Sequence, residues 1–285
     1  MCHWALHRGL VPAALCLLTG VVMAASSRES MRTAATLPRI DDYAAACAAA
    51  EHAGAMLLVS IEPMADDTSD LVGSRLARAD VQEQFASSGS PWVVCRLGID
   101  DAAALVNDPS LREMRHGPGV FVVDYAHAAW KGRIVSVLPR TAGTYYRFEP
   151  HHLDELAALP EGSLTQRSMV LAVRLHNEHP RSTEGFCDPL LGAEAESHSA
   201  HQARIQKQGH HDWAIRSQRL GGPAAEVCAE SWEHQDLLDS CVDCVHSWRH
   251  SPGHWQAVGS SHAAYGYDIR RGGNGVWYAT GIFRD

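Results

Sequence analysis

Met56-Leu57-Leu58-Val59-Ser60-Ile61 is a near-continuous apolar run, the pattern of a β-strand covered on both faces. Outward from it the chain alternates between helical and strand periods. Upstream, Asp41-Asp42 opens an Ala-rich helix running towards Gly54, with its acids placed against the positive end of the helix dipole. Downstream, a helix from about Thr68 to Phe85 leads to a second strand, Trp92-Val93-Val94-Cys95-Arg96-Leu97, and a polar helical stretch from Asp101 to Arg115. Two more strands, Val120–Asp124 and Ile134–Leu138, flank a turn containing Lys131-Gly132-Arg133, and a short helix from His151 to Leu159 closes the unit. This order predicts an α/β fold.

The chain has 285 residues, enough for two domains of roughly 120 residues each. Periodicity weakens between Thr141 and Gly162, which sets expected domains at 38–160 and 164–285. A formal charge of -9, with no Lys/Arg cluster, argues against a nucleic-acid partner and against a polybasic membrane patch. At the N-terminus, His7 and Arg8 precede an apolar run from Leu10 to Met23, and small residues follow at Ala24-Ala25-Ser26. That is the layout of a signal peptide over residues 1–25, with a core too short to span a bilayer. No second long apolar stretch occurs, so the expectation is a secreted or periplasmic protein without a transmembrane segment in its mature form.

Taken in order, the N-terminal elements resemble the thioredoxin fold, and Gly117-Pro118-Gly119 stands just before a buried strand where that family holds a cis-proline. The resemblance implies a cis bond at Pro118. A thioredoxin also needs two cysteines at the start of the helix after its central strand, where the helix N-terminus lowers the thiol pKa. Here that stretch reads Glu62-Pro63-Met64-Ala65-Asp66-Asp67-Thr68-Ser69, with no sulfur nucleophile. Cys47 falls in a helix and Cys95 in a strand, positions of buried apolar fillers. Thiol oxidoreductase activity is not expected.

The C-terminal half carries a second resemblance. Met169 to Arg174 forms a helix before a loop; Leu191-Gly192-Ala193-Glu194-Ala195 belongs to a helix opened by Asp188-Pro189, and Gly209-His210 follows it. Next come Glu226-Val227-Cys228-Ala229, then Trp248-Arg249-His250-Ser251-Pro252-Gly253-His254, then Tyr265-Gly266-Tyr267-Asp268 and Gly275 to Thr280. These pieces, in this order, resemble the CAP superfamily, the cysteine-rich secretory, antigen-five and pathogenesis-related group. The expected fold is therefore a thioredoxin-like α/β domain followed by a CAP-like α-β-α sandwich. Val227 replaces the Asn usual in the Glu-Asn-Ile segment, and the second acid of many CAP sites has no clear counterpart.

What the CAP resemblance implies about a site is a cleft formed by His210, Glu226 and His254, with Glu230 in reserve. The same resemblance makes His210, His254 and Glu226 a ligand set for a metal ion, zinc being the ion such a set takes in open sites. The alternative is a hydrogen-bonded polar cluster without metal. His198 and His201, three apart, read as surface positions in a chain with 18 histidines, and His211 as a surface or supporting residue.

Cys241 and Cys244 lie in what reads as one helix, Leu237 to Trp248, so a bond between them would be local and strained. The expected disulfide joins Cys228 to Cys241 or Cys244, against three buried free thiols as the alternative. Trp232, Trp248 and Trp255 read as core. The CAP resemblance, with the signal-peptide layout, implies a secreted non-catalytic binding module for an unknown extracytoplasmic lipid, peptide or polymer. The competing reading is a hydrolase using the His/Glu cleft, with or without zinc.

Overall fold

The computed structural model describes residues 37–63, 70–115 and 117–285. The signal-peptide expectation and the whole of the loop from Met64 to Ser69 lie outside these residues. The chain is α/β, with helices on both sides of two sheets. After a short strand β1 (Arg39–Ile40), helix α1 (Tyr43–Ala53) begins at Asp42, whose carboxylate accepts the Ala45 N–H at 2.7 Å. It stops at Gly54 in the left-handed region (φ 56°), a conformation that costs glycine little. The apolar run is strand β2 (Met56–Glu62), buried at every position.

The expected helix near Thr68–Phe85 is two, α2 (Leu71–Leu76) and α3 (Ala79–Ser87), because Arg78 adopts an extended conformation between them. Strand β3 (Trp92–Gly98) follows. The stretch expected to be helical between Asp101 and Arg115 contains two 3-10 turns, Leu105–Asn107 and Pro109–Met114. Asp108 is extended (ψ 131°), as the residue before a proline prefers, and Pro109 has no N–H to continue a helix. Strands β4 (Gly119–Asp124) and β5 (Arg133–Pro139) and helix α4 (His152–Ala158) complete this half.

The first sheet runs β1-β3-β2-β4-β5, with β1 and β2 parallel to β3 and with β2–β4 and β4–β5 antiparallel. Every peptide bond described here is trans, Gly117–Pro118 included, which corrects the cis expectation at Pro118. The trans form is the default for X–Pro by about 0.5–1 kcal/mol, and Pro118 in this form still offers its carbonyl to Arg140 N–H at 2.9 Å.

Helix α5 (Leu164–Arg174) starts five residues before Met169, where the sequence reading began it, because Ser163 and Gln166 form a reciprocal capping box. The second half continues with β6 (Phe186–Cys187), α6 (Pro189–Ile205), α7 (Trp213–Arg219), β7 (Ala225–Glu230), α8 (Leu237–Arg249), α9 (Pro252–Gly259), β8 (Ala264–Arg271) and β9 (Trp277–Arg284). Its sheet order is β6-β8-β9-β7, antiparallel except for the β6–β8 pair. Helix α6 packs on β8 and β9, while α5 and α8 pack against each other and the sheet. Gly266 on β8 allows the closest approach: a Cβ there would meet Gly192 N and Leu191 C of α6 at 2.3 Å.

The two halves share a hydrophobic core. One continuous cluster joins Met56, Leu58, Val120 and Leu138 to Met169, Val173, Trp248 and Tyr265. The opposite face of the first sheet, with Leu57, Val59 and Ile61, packs on Ala46 and Ala50 of α1 and on Leu111 and Met114. Helix α5 is buried from Arg167 to Val173, as expected of a helix covered on all sides.

Candidate functional site

Strand β7 lies at the edge of the second sheet, and the period-two alternation of a strand decides what it presents to each face. Val227 and Ala229 point into the shared core, whereas Glu226 and Cys228 point the other way. The Glu226 carboxylate is 1% exposed, and a buried charge needs partners. It has two. His210, in the loop after α6, places Nδ1 2.9 Å from Oε1, and Arg216 of α7 donates Nη1 to Oε2 at 2.5 Å. Burial pushes the Glu226 carboxyl up, but the bonds from His210 and Arg216 together with the Arg216 charge outweigh it, leaving the group below the usual carboxylate range.

His254 completes the cluster from the first turn of α9. Pro252 occupies the first turn of this helix, where its missing N–H costs nothing. Its Nε2 lies 3.4 Å from His210 Nε2, with ring centroids 5.7 Å apart. The His210 side chain is 44% exposed, so the pair opens to solvent while the carboxylate behind it does not. Burial, and then the neighbouring His210, depress the His254 pKa and favour its neutral form at pH 7. Glu230 takes no part: it is exposed at the far end of β7 and makes no hydrogen bond to the cluster.

Two supporting residues escaped the sequence reading. Arg216 is buried and its guanidinium also binds His211 O at 3.0 Å and sits over the Trp213 ring at 5.2 Å. His198, expected at the surface, is 2% exposed and bonds Gly209 O through Nε2 at 2.8 Å, fixing the loop that carries His210. Burial depresses its pKa against the pull of Glu226. The i, i+3 spacing of His198 and His201 marked a shared helix face, but nothing in the sequence said that the face is covered.

The cysteine expectation is corrected. Cys47, Cys95, Cys187, Cys228, Cys241 and Cys244 are free, and no disulfide joins Cys228 to Cys241 or Cys244. Sheet geometry is the reason: Cys241 and Cys244 sit in the core beside Val227 and Ala229, whereas Cys228 is on the opposite face, 3.7 Å from His210 Nδ1. Burial raises the Cys228 thiol and, more strongly, those of Cys241 and Cys244, so none is a thiolate nucleophile at neutral pH.

A metal fits part of this set. His210 donates Nδ1–H to Glu226 and so keeps a lone pair on Nε2, and the 3.4 Å gap to His254 Nε2 can be spanned by two Zn–N bonds of about 2.0–2.1 Å. Glu226 fits poorly as a ligand, because its carboxylate is 1% exposed and already neutralised by Arg216 at one oxygen while it holds His210 at the other. It stands instead as the carboxylate that orients a ligating histidine. His198, Glu226 and Cys228 also offer ligand atoms within 4.8 Å of one another, but the first two are satisfied internally and the third is a buried thiol.

No family model matches the chain, and no curated protein matches it.

Proposed function

We propose that this chain is an exported, non-catalytic binding module, in which a CAP-like half carries a histidine centre and a thioredoxin-like half without a dithiol supports it. The first sheet's order and strand directions support the thioredoxin likeness. The α-β-α layering around the second sheet and the meeting of His210, Glu226 and His254 support the CAP likeness. One observation carries the non-catalytic reading: the Glu226 carboxylate is 1% exposed and engaged at each oxygen by His210 or Arg216, so it is not presented to a substrate or to solvent water. A general base must reach the proton it removes. The exposed His210–His254 pair is then a contact centre for a ligand or a divalent transition ion, and a bound ion there would supply a positive charge to an anionic partner. Secretion rests on residues 1–25 of the sequence.

The test is an assay of the zinc-supplemented full chain against p-nitrophenyl esters and a casein substrate. No turnover above the Glu226→Gln variant is expected. Turnover that this variant abolishes would overturn the reading in favour of a hydrolase.

A further inference from the structure

On the side of α5 away from the histidine centre lies a cavity of about 660 Å³, within the range of about 300–1,000 Å³ for small-molecule sites. Its walls are mainly apolar. Val170, Tyr265 and Tyr267 come from the second half, Trp130 from the first, and Pro160 from the segment between them. Phe186 also lines it and is 66% exposed.

Two guanidiniums also line the cavity. Arg174 is 20% exposed, donates Nη1 to Ala158 O at 2.8 Å and is paired with Glu155, whose Oε2 lies 3.8 Å away, so its charge is compensated. Arg167 is 2% exposed, and its donors go to neutral oxygens: Ser136 Oγ at 3.0 Å, Leu159 O at 3.3 Å and Pro160 O at 2.7 Å. Among the described residues its Nη2 has no partner. Among the described residues no carboxylate stands within ion-pair distance of Arg167. The Asp124 field reaches it, but that carboxylate is committed to His127 Nδ1 at 2.8 Å and to two backbone N–H groups. Burial accordingly pulls the Arg167 pKa down to about 10.

An unpaired buried cation costs several kcal/mol, and an anion entering the cavity would relieve that cost. The acids around the cavity do not: Asp188 is held by Arg284 at 2.7 Å, Glu196 by Arg270 at 2.5 Å, and Glu161 is exposed at the mouth. We propose that the cavity binds an apolar monocarboxylate, its head towards Arg167 and Arg174 and its body along Val170, Tyr265 and Trp130. The single uncompensated charge and the scarcity of other free donors favour one carboxylate over a phosphate or a sugar. This site shares no residue with the histidine centre.

The experiment is calorimetric titration of the full chain with decanoate, decan-1-ol and decyltrimethylammonium, each below its aggregation concentration. Decanoate should bind one per chain and at least about tenfold more tightly than the alcohol, as expected for charge-assisted hydrogen bonds. Ala193→Trp places a large ring at the mouth from an exposed position of α6, so the fold is retained while decanoate binding falls about tenfold or more. Arg174→Gln should remove the preference for decanoate over the alcohol. Equal affinity for the three amphiphiles, no saturable decanoate binding, or unchanged binding by Ala193→Trp would overturn the proposal. Zinc titration of Ala193→Trp should match wild type, which separates failure here from failure of the histidine centre.

Discussion

Glu226 on β7 ties the His210 loop and helix α7 together through its two oxygens, and the members of the cluster differ in how they could be found. His210, Glu226 and His254 were legible as candidates because the CAP resemblance implies them. Arg216 was not: it lies in a stretch without motif, where an arginine on a short helix reads as solvated. Yet the Arg216–Glu226 pair is buried on both sides, with side chains 7% and 1% exposed. Removing one partner of such a pair leaves an uncompensated charge, so Arg216→Ala should destabilise the chain by about 3 kcal/mol at pH 7, measured by urea unfolding. A loss below about 1 kcal/mol would show the pair to be incidental. The pH dependence has a definite sign. The folded Glu226 pKa is depressed, so its contribution is full above the ordinary carboxylate pKa and is lost as pH falls through the lower folded value. Glu226→Gln should therefore show less acid destabilisation than wild type over that interval.

At the scale of elements, continuous apolar runs announced β2 and β3, and Asp42 and Gly54 bounded α1, because those signals are local. The 3-10 turns near Pro109 and the break at Arg78 were missed, since polar stretches carry little periodicity to show where a helix yields. The thiols were misjudged for a related reason. Sequence spacing brought Cys228 near Cys241 and Cys244 along the chain but could not say on which face of β7 the thiol lies. Alkylation of native protein should leave Cys228, Cys241 and Cys244 unmodified, and all three should react after unfolding without reductant. A disulfide-linked peptide in a non-reducing map would contradict this. Packing of α6 on β8 gives a sharper test. Gly266→Ala would drive a methyl into the Leu191–Gly192 backbone and should cost about 3 kcal/mol or more, because backbone cannot move aside as a side chain can. Gly259→Ala, where nothing lies within 4 Å of the new Cβ, is the matched control and should be close to neutral.

Across the molecule, the expected boundary near residue 160 separates two sheets but not two cores, since the described residues all fall in one compact unit with a shared cluster. Periodicity reports elements, and which faces of distant elements meet is not encoded locally. Glu113 illustrates the point. From the first half it accepts the Leu237 N–H at the start of α8, a helix whose own Asp236 makes no side-chain cap. Burial raises the Glu113 pKa to about 7. The folded state thus holds a proton that the unfolded chain releases near the ordinary carboxylate pKa, so this group's contribution weakens as pH rises towards 7. In wild type, calorimetry should show one transition with equal calorimetric and van't Hoff enthalpies, and two separate transitions would contradict the shared core. The central claim concerns the histidine centre, and zinc titration of the full chain tests it most directly. A chain with 18 histidines offers other zinc contacts, so the comparison is with variants. His254→Ala should lose one zinc equivalent, whereas Glu226→Gln should keep it with affinity weakened about 10–100-fold, as for a residue that orients a ligand. If His254→Ala binds like wild type, or if Glu226→Gln abolishes the same equivalent as completely as the histidine variant does, the account of a two-histidine centre backed by a buried, fully engaged carboxylate is wrong.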